Sequence, residues 1–106
     1  MKKLSFRVRK AYFDLIMAGK KRTEYRRYIP FWLIRISEYG TTGMPVGSRW
    51  RTDPGEFQAV FICGKRIHRR EIVAISRIHT PVFSAQGKKD VDTETCLAFE
   101  LGSEIK

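Results

Sequence analysis

The chain's ionisable chemistry is concentrated in one short stretch, Gly19-Lys20-Lys21-Arg22-Thr23-Glu24-Tyr25-Arg26. A single carboxylate, Glu24, stands among bases, with Lys21 three residues before it and Arg26 two after. A carboxylate set among fixed cations suits anion recognition or proton transfer. With extended backbone from Thr23 onward, Glu24 and Arg26 point to one face, and Arg22 can join them at the strand's start. Lys21 falls in the preceding turn and can swing to either face. Crowding by Lys20, Arg22, Arg26 and Arg27 favours the neutral amine of Lys21, the form that acts as base or nucleophile, and Glu24 opposes it. Two schemes use these groups. In cleavage of an RNA strand, Glu24 takes the 2′-hydroxyl proton while Lys21 and Arg26 stabilise the charged phosphorane. In amide hydrolysis, Lys21 activates water or donates to the leaving amine. Neither scheme calls for a metal or another cofactor. The plain alternative is an ion pair pinning strand to helix, which if exposed contributes about 0–1 kcal/mol.

The flanking pattern says what must hold these groups. Leu4, Phe6 and Val8 alternate with Ser5, Arg7 and Arg9, the period of a half-buried strand. Tyr12, Phe13, Ile16 and Met17 recur at helical spacing, which places Tyr12 in the core, and Gly19 is positioned to stop that helix in a left-handed turn. Thr23 to Tyr28 reads as extended, ended by Pro30. Phe31 to Ile36 is a mostly apolar run that reads as a buried strand, with a short helix as the other option. Residues 39–57 are rich in Gly and Pro and read as one long irregular loop carrying Arg49, Trp50 and Arg51. The Trp50 ring either stacks on a base or anchors the loop on the core. Ala59 to Cys63 is a compact strand followed by a turn at Gly64-Lys65. From Arg70 to Thr80 alternation returns, with Ile72, Ala74 and Ser76 on one face and Val73, Ile75 and Arg77 on the other. Cys96 to Leu101 is the last strand. Five or six short strands with one or two helices make an α+β domain, a small mixed β-barrel, spanning 1–106 as a single unit.

Charge points to a polyanionic partner. The net charge of +10 over 106 residues is uneven. Residues 1–35 carry 11 Lys/Arg against Asp14 and Glu24, whereas the last 25 residues carry 3 bases and 5 acids. A basic front half is the footprint expected for RNA or a nucleotide. The linking piece Lys65-Arg66-Ile67-His68-Arg69-Arg70 reads as a basic turn of the kind that contacts phosphates, or as a solvated hairpin tip. No apolar run approaches the roughly 20 residues of a membrane helix, and the basic N-terminus lacks a signal-peptide core. A cytoplasmic protein is expected. Cys63 and Cys96 lie in apolar, strand-like contexts and read as buried, reduced thiols. His68 and His79 show no metal-ligand spacing. Asp90, Asp92 and Glu94 alternate, but the glycine and distal glutamate of a calcium loop are missing, so a polar approach to the last strand is the better reading.

The helix end Ile16-Met17-Ala18-Gly19, followed by Gly19-x-Lys21-x-x-Glu24-x-Arg26, resembles the ASCH domains, relatives of the PUA-like β-barrels. The closing Cys96-Leu97-Ala98-Phe99-Glu100-Leu101-Gly102 is similar to the last strand and turn common in that family. The resemblance covers nearly the whole chain in outline, and its specificity rests on the one motif. It implies a barrel with flanking helices, a cleft beside the motif, and RNA or nucleotides as ligands. Bacterial members include small hydrolases. One group removes the acetyl group from N4-acetylcytidine, and another is linked to RNA cleavage. In the amidohydrolase group a lysine acts with a threonine three residues on and a distant glutamate. By position Lys21 matches the lysine, Glu24 stands where that threonine would be, and Glu71 and Glu94 are the nearest candidates for the glutamate. A non-catalytic RNA-binding module and an interaction protein for an acidic partner are the other functional classes compatible with the charge.

Overall fold

A computed structural model describes residues 2–36, 45–79 and 95–106. Its elements run β1 (Lys2–Arg7), α1 (Lys10–Met17), β2 (Thr23–Arg27), α2 (Pro30–Ile36), β3 (Arg49–Arg51), β4 (Phe57–Cys63), β5 (Arg66–His79) and β6 (Thr95–Glu104). The six strands form one curled mixed sheet, a half-barrel, in the order β1-β4-β5-β6-β2, with β3 paired to β5 beside β4. β1 runs parallel to β4 and every other pair is antiparallel. β1 and β2 are therefore the two outer edges, and α1 is the connection that carries the chain from one to the other.

β5 contributes two bends to the curl. Its register with β6 slips between Arg70 and Ile72 and again between Ile72 and Ala74. Each slip bends the strand and moves following side chains to the opposite face. Strict alternation put Ile72 and Ile75 on opposite faces, but the structure corrects this: both are fully buried in the one core. Gly102 of β6 lies at this bend, where a Cβ would come within 2.7 Å of Val73 Cγ1. The Val73 side chain fills the space there, so a side chain at 102 would force it to move.

Four rings fill the concave face. Phe6 stacks on Trp32 at 4.9 Å and on Phe61 at 5.4 Å, and Phe99 meets Phe6 edge-on at 5.2 Å. Trp32 comes from α2, which corrects the preference for a strand over Phe31–Ile36. Pro30 opens the helix at a position where its missing N–H is no loss, and Trp32, Leu33 and Ile36 make the inward stripe. The supposed loop at 39–57 holds the short strand β3, while residues 37–44 lie outside the described residues. Tyr12 was expected in the core; it is half exposed, because Phe13 and Ile16 alone face the sheet.

The basic piece at 65–70 is also corrected in form. Only Gly64-Lys65 makes the turn, with Gly64 at φ +60, and Arg66 to Arg70 are the first residues of β5. Cys63 and Cys96 sit on strands separated by β5, opposite Arg66 and Ile78 respectively, so they do not face each other. Asp90, Asp92 and Glu94 lie outside the described residues.

Two arginines of β5 hold α1 in place. Arg66 pairs with Asp14 at 3.2 Å and lies over the Phe13 ring, and Arg70 donates to the Ile16 carbonyl at 3.0 Å and the Gly102 carbonyl at 3.1 Å. The Arg70 Nε donates to Nε2 of His68 at 3.1 Å, which requires that nitrogen to be unprotonated. His68 is buried, and burial followed by the Arg70 charge lowers its pKa from the ordinary 6.5, with Glu104 opposing. The unfolded chain then binds the proton more readily than the folded one. The His68 contribution is complete above about pH 6.5 and is lost as pH falls through the lowered folded value. Urea unfolding is expected to give lower stability at pH 5.5 than at pH 7.5. In His68→Gln, which keeps an acceptor for Arg70 and does not titrate, most of that difference should vanish, and an undiminished difference would rule the account out.

Candidate functional site: a cleft at the seam of the sheet

Helix α1 ends in a complete glycine stop. Gly19 takes φ +73, the Gly19 N–H donates to the Ile16 carbonyl at 3.1 Å, and the Lys20 N–H donates to the Leu15 carbonyl at 2.9 Å. This reversal delivers Lys21 to the start of β2. The strand pairs Glu24 with Phe99 and Arg26 with Leu97, so both charged side chains point to the concave, core-lined face. The shared face expected for Glu24 and Arg26 is observed.

Glu24 is held from both sides. Lys21 Nζ donates to Oε1 at 2.8 Å and Arg26 Nη2 donates to Oε2 at 2.9 Å, and the Glu24 side chain is only 8% exposed. Lys21 also donates to the Thr23 carbonyl. Arg26 continues across the gap between the sheet's edges: Nη2 donates to the Arg7 carbonyl at 3.0 Å, at the end of β1. Its guanidinium lies over Phe6 at 5.2 Å and Trp32 at 5.8 Å, while its buried Nε meets no acceptor among the described residues. One side chain thus joins both outer strands, the acid and the aromatic core.

Above this floor opens a cleft of about 390 Å³ lined by Arg7, Val8, Arg9, Tyr12, Lys21, Glu24, Tyr25 and Arg26. Lys21 Nζ lies 5.9 Å from the Tyr12 ring centre and 5.7 Å from that of Tyr25, and both rings are partly exposed. With Arg7, Arg9, Lys21 and Arg26 against Glu24, the lining is net positive. A cationic cleft with aromatic walls suits an anion attached to a flat ring. The two tyrosines and Lys21 form the part that a base could contact, and the arginines the part that a phosphate could contact.

The other sequence-singled residues lie elsewhere. Lys20 and Arg27 are exposed, and Arg22 turns back to donate to the Gly19 carbonyl at 3.2 Å rather than joining Glu24. Arg49 grips Glu100 through two hydrogen bonds of 2.7 and 2.9 Å. The Arg49 hydrogen bond, opposed by burial and aided by the charges of Arg49 and Arg51, lowers the Glu100 pKa. Trp50 meets the buried Phe57 edge-on at 5.7 Å yet stays partly exposed, so the ring is anchored without being hidden. Lys65 and Arg69 are exposed, whereas Arg66, His68 and Arg70 serve the α1 contacts described above. Neither loop nor hairpin therefore converges on the cleft. Glu71 accepts from the Gly55 N–H at 3.4 Å and does not line it, and Glu94 is outside the described residues. Among the described residues, no three His, Cys, Asp or Glu side chains gather in a way that could hold a metal.

Sequence reasoning missed Arg7 and Arg9 as lining residues. Arg7 ends β1 and Arg9 follows it; β1 shares no hydrogen-bonded ladder with β2, and only the curl of the sheet brings the two ends together. Tyr12 carried no usable signal: it stands four residues before Ile16, on the same helical stripe, yet it is half exposed. No family model, curated protein or solved structure matches the chain.

The geometry makes Arg26 the most consequential residue of the site. Arg26→Met keeps the length and apolar stem but removes the bonds to Glu24 and to Arg7. A loss of about 1.5–3 kcal/mol is expected from urea titration, the range for hydrogen bonds involving charged groups. A loss below about 0.5 kcal/mol would show that the seam is held without it.

Proposed function

We propose that this chain is an RNA- or nucleotide-binding protein of the ASCH type whose cleft cleaves RNA or hydrolyses a modified nucleoside through its own side chains. The observation that carries the reading is the Glu24 carboxylate, fixed between Lys21 and Arg26 on the floor of a positively charged cleft walled by Tyr12 and Tyr25. The match of Lys21, Glu24 and Arg26 to the family motif adds to it.

RNA cleavage fits these contacts better than a mechanism with Lys21 as base. The Lys21 ammonium gives hydrogen bonds to Glu24 and to the Thr23 carbonyl, and an amine acting as base needs its lone pair. In the scheme, the 2′-oxygen bonds to phosphorus as its proton passes to a remaining lone pair of Glu24. The P–O5′ bond breaks and Lys21 supplies the proton to the departing 5′-oxygen. The products are a 2′,3′-cyclic phosphate and a 5′-hydroxyl. Arg26, with Arg7 and Arg9 at the rim, offsets the phosphorane's charge. A second reading rests on the same contacts. Both Glu24 oxygens are already engaged, and Arg26 ties the two sheet edges, which is what a structural clasp in a purely RNA-binding module requires.

Incubation of the wild type, Lys21→Ala and Glu24→Gln with total RNA and a panel of acylated nucleosides, with chelator present, separates the two. By mass spectrometry, products are expected from the wild type, reduced about 10²–10³-fold in each variant, the usual effect of losing one preorganised group. Wild-type products that persist in both variants, with unfolding midpoints unchanged, would remove the cleft from the chemistry. No products from any of the three, beside measurable RNA binding, would leave the binding module. In binding, affinity for single-stranded RNA should fall as salt rises, and Arg7→Ala/Arg9→Ala should reduce the slope of log K against log salt by about 1–2. An unchanged slope would place the phosphates elsewhere.

A further inference from the structure

A second surface, unconnected with the cleft, lies on the same edge strand farther from Arg7. Parallel pairing uses the even residues of β1: the Lys2 N–H donates to the Glu56 carbonyl at 2.9 Å and the Val8 N–H to the Ile62 carbonyl at 3.0 Å. The odd residues Lys3, Ser5 and Arg7 therefore turn their N–H and C=O groups to the opposite, outer edge. The Arg7 carbonyl is taken by Arg26. Among the described residues no strand pairs with the edge at Lys3 and Ser5. Beside it runs a groove of about 480 Å³ lined by Lys2, Lys3, Leu4, Ser5, Phe31 and Arg35. Phe31 is 48% exposed and Ile34, three residues on along α2, is 64% exposed. Arg35 lies 3.5 Å over the Phe31 ring and donates to the Phe31 carbonyl, so the aromatic wall is braced rather than loose.

We infer that this groove docks an extended acidic peptide segment of a partner protein, added as a strand to the edge of β1. Three observations select that occupant. Lys3 and Ser5 present alternating donors and acceptors at the spacing of one strand on another, roughly 6.6 Å between like groups. The phosphates of an RNA strand are acceptors only, and its 2′-hydroxyl and base donors do not alternate with acceptors along one edge as a peptide's N–H and C=O groups do. The lining holds Lys2, Lys3 and Arg35 and no acid, which matches a carboxylate-rich strand and opposes a second copy of this chain with its own Lys3 in register. Phe31 and Ile34 supply the apolar contact that alternates with the charged one. The proposal stands whatever the cleft does.

The test uses the full chain and a fluorescent peptide of about ten residues alternating glutamate and valine, read by anisotropy. Saturable binding is expected, with slowed hydrogen exchange at the Lys3 and Ser5 amides in the complex. The same peptide N-methylated at every residue, which keeps the charge and leaves no N–H donor on either edge, should bind at least about tenfold more weakly. Lys3→Glu should weaken the unmodified peptide to a similar degree. The N-methylated comparison needs no variant to fold. Equal binding of the N-methylated peptide would reduce the groove to a charged surface and overturn the proposal. An oligouridylate of the same charge competing as well as the unmodified peptide would overturn it in favour of RNA. So would no saturable binding at millimolar peptide, or Lys3 and Ser5 amides already protected in a concentration-dependent dimer.

Discussion

The structure depends on the bond network of one arginine. A curled sheet that stops halfway to a barrel leaves two edge strands facing a gap, and neither can satisfy its outer backbone groups on the other. Arg26 spans that gap, donating to Glu24 on its own strand and to the Arg7 carbonyl on the other. Its planar cation also covers the Phe6 and Trp32 rings where the core would otherwise meet solvent. Closure, core cover and the charge of the cleft floor are one contact set. Arg26 addresses carboxylate and carbonyl through one nitrogen, Nη2, while its flat guanidinium covers the rings, a cover that a compact lysine ammonium lacks.

Glu24 makes that arrangement tolerable. A nearly buried carboxylate without partners would be strongly disfavoured, and a cation pressed on an aromatic core likewise. Placed between Lys21 and Arg26, the acid is compensated on both oxygens. On the proposed function the same compensation would serve chemistry: the group is oriented, partly desolvated, and next to cations that answer negative charge. The glycine stop at Gly19 fixes where Lys21 begins.

The basic residues of β5 follow a different logic. Arg66 and Arg70 belong to the strand, not to an open turn, and their charge is spent near α1: one on Asp14 and the Phe13 face, the other on the Ile16 carbonyl of the helix and the Gly102 carbonyl of β6. His68 is buried among them as a neutral acceptor. A basic run in a sequence says that charge is present. It does not say whether the charge faces a ligand or an adjacent helix end.

What the sequence by itself determined was local. Alternation marked β1, helical spacing with Gly19 marked α1 and its stop, and the strand period put Glu24 and Arg26 on one face, because these depend only on neighbours a few residues apart. The Gly64-Lys65 turn was legible for the same reason. Tertiary structure decided the rest. Phe31 to Ile36 had the composition of a strand, and became a helix because Trp32 and Ile36 fill the concave face. Ile72 and Ile75 share the core because bulges in β5 override simple alternation. Arg7, Arg9 and Tyr12 became cleft walls because the sheet curls until β1 and β2 nearly meet, although no ladder joins them. That juxtaposition is the sum of bends spread along the whole sheet, and no short window of residues encodes it.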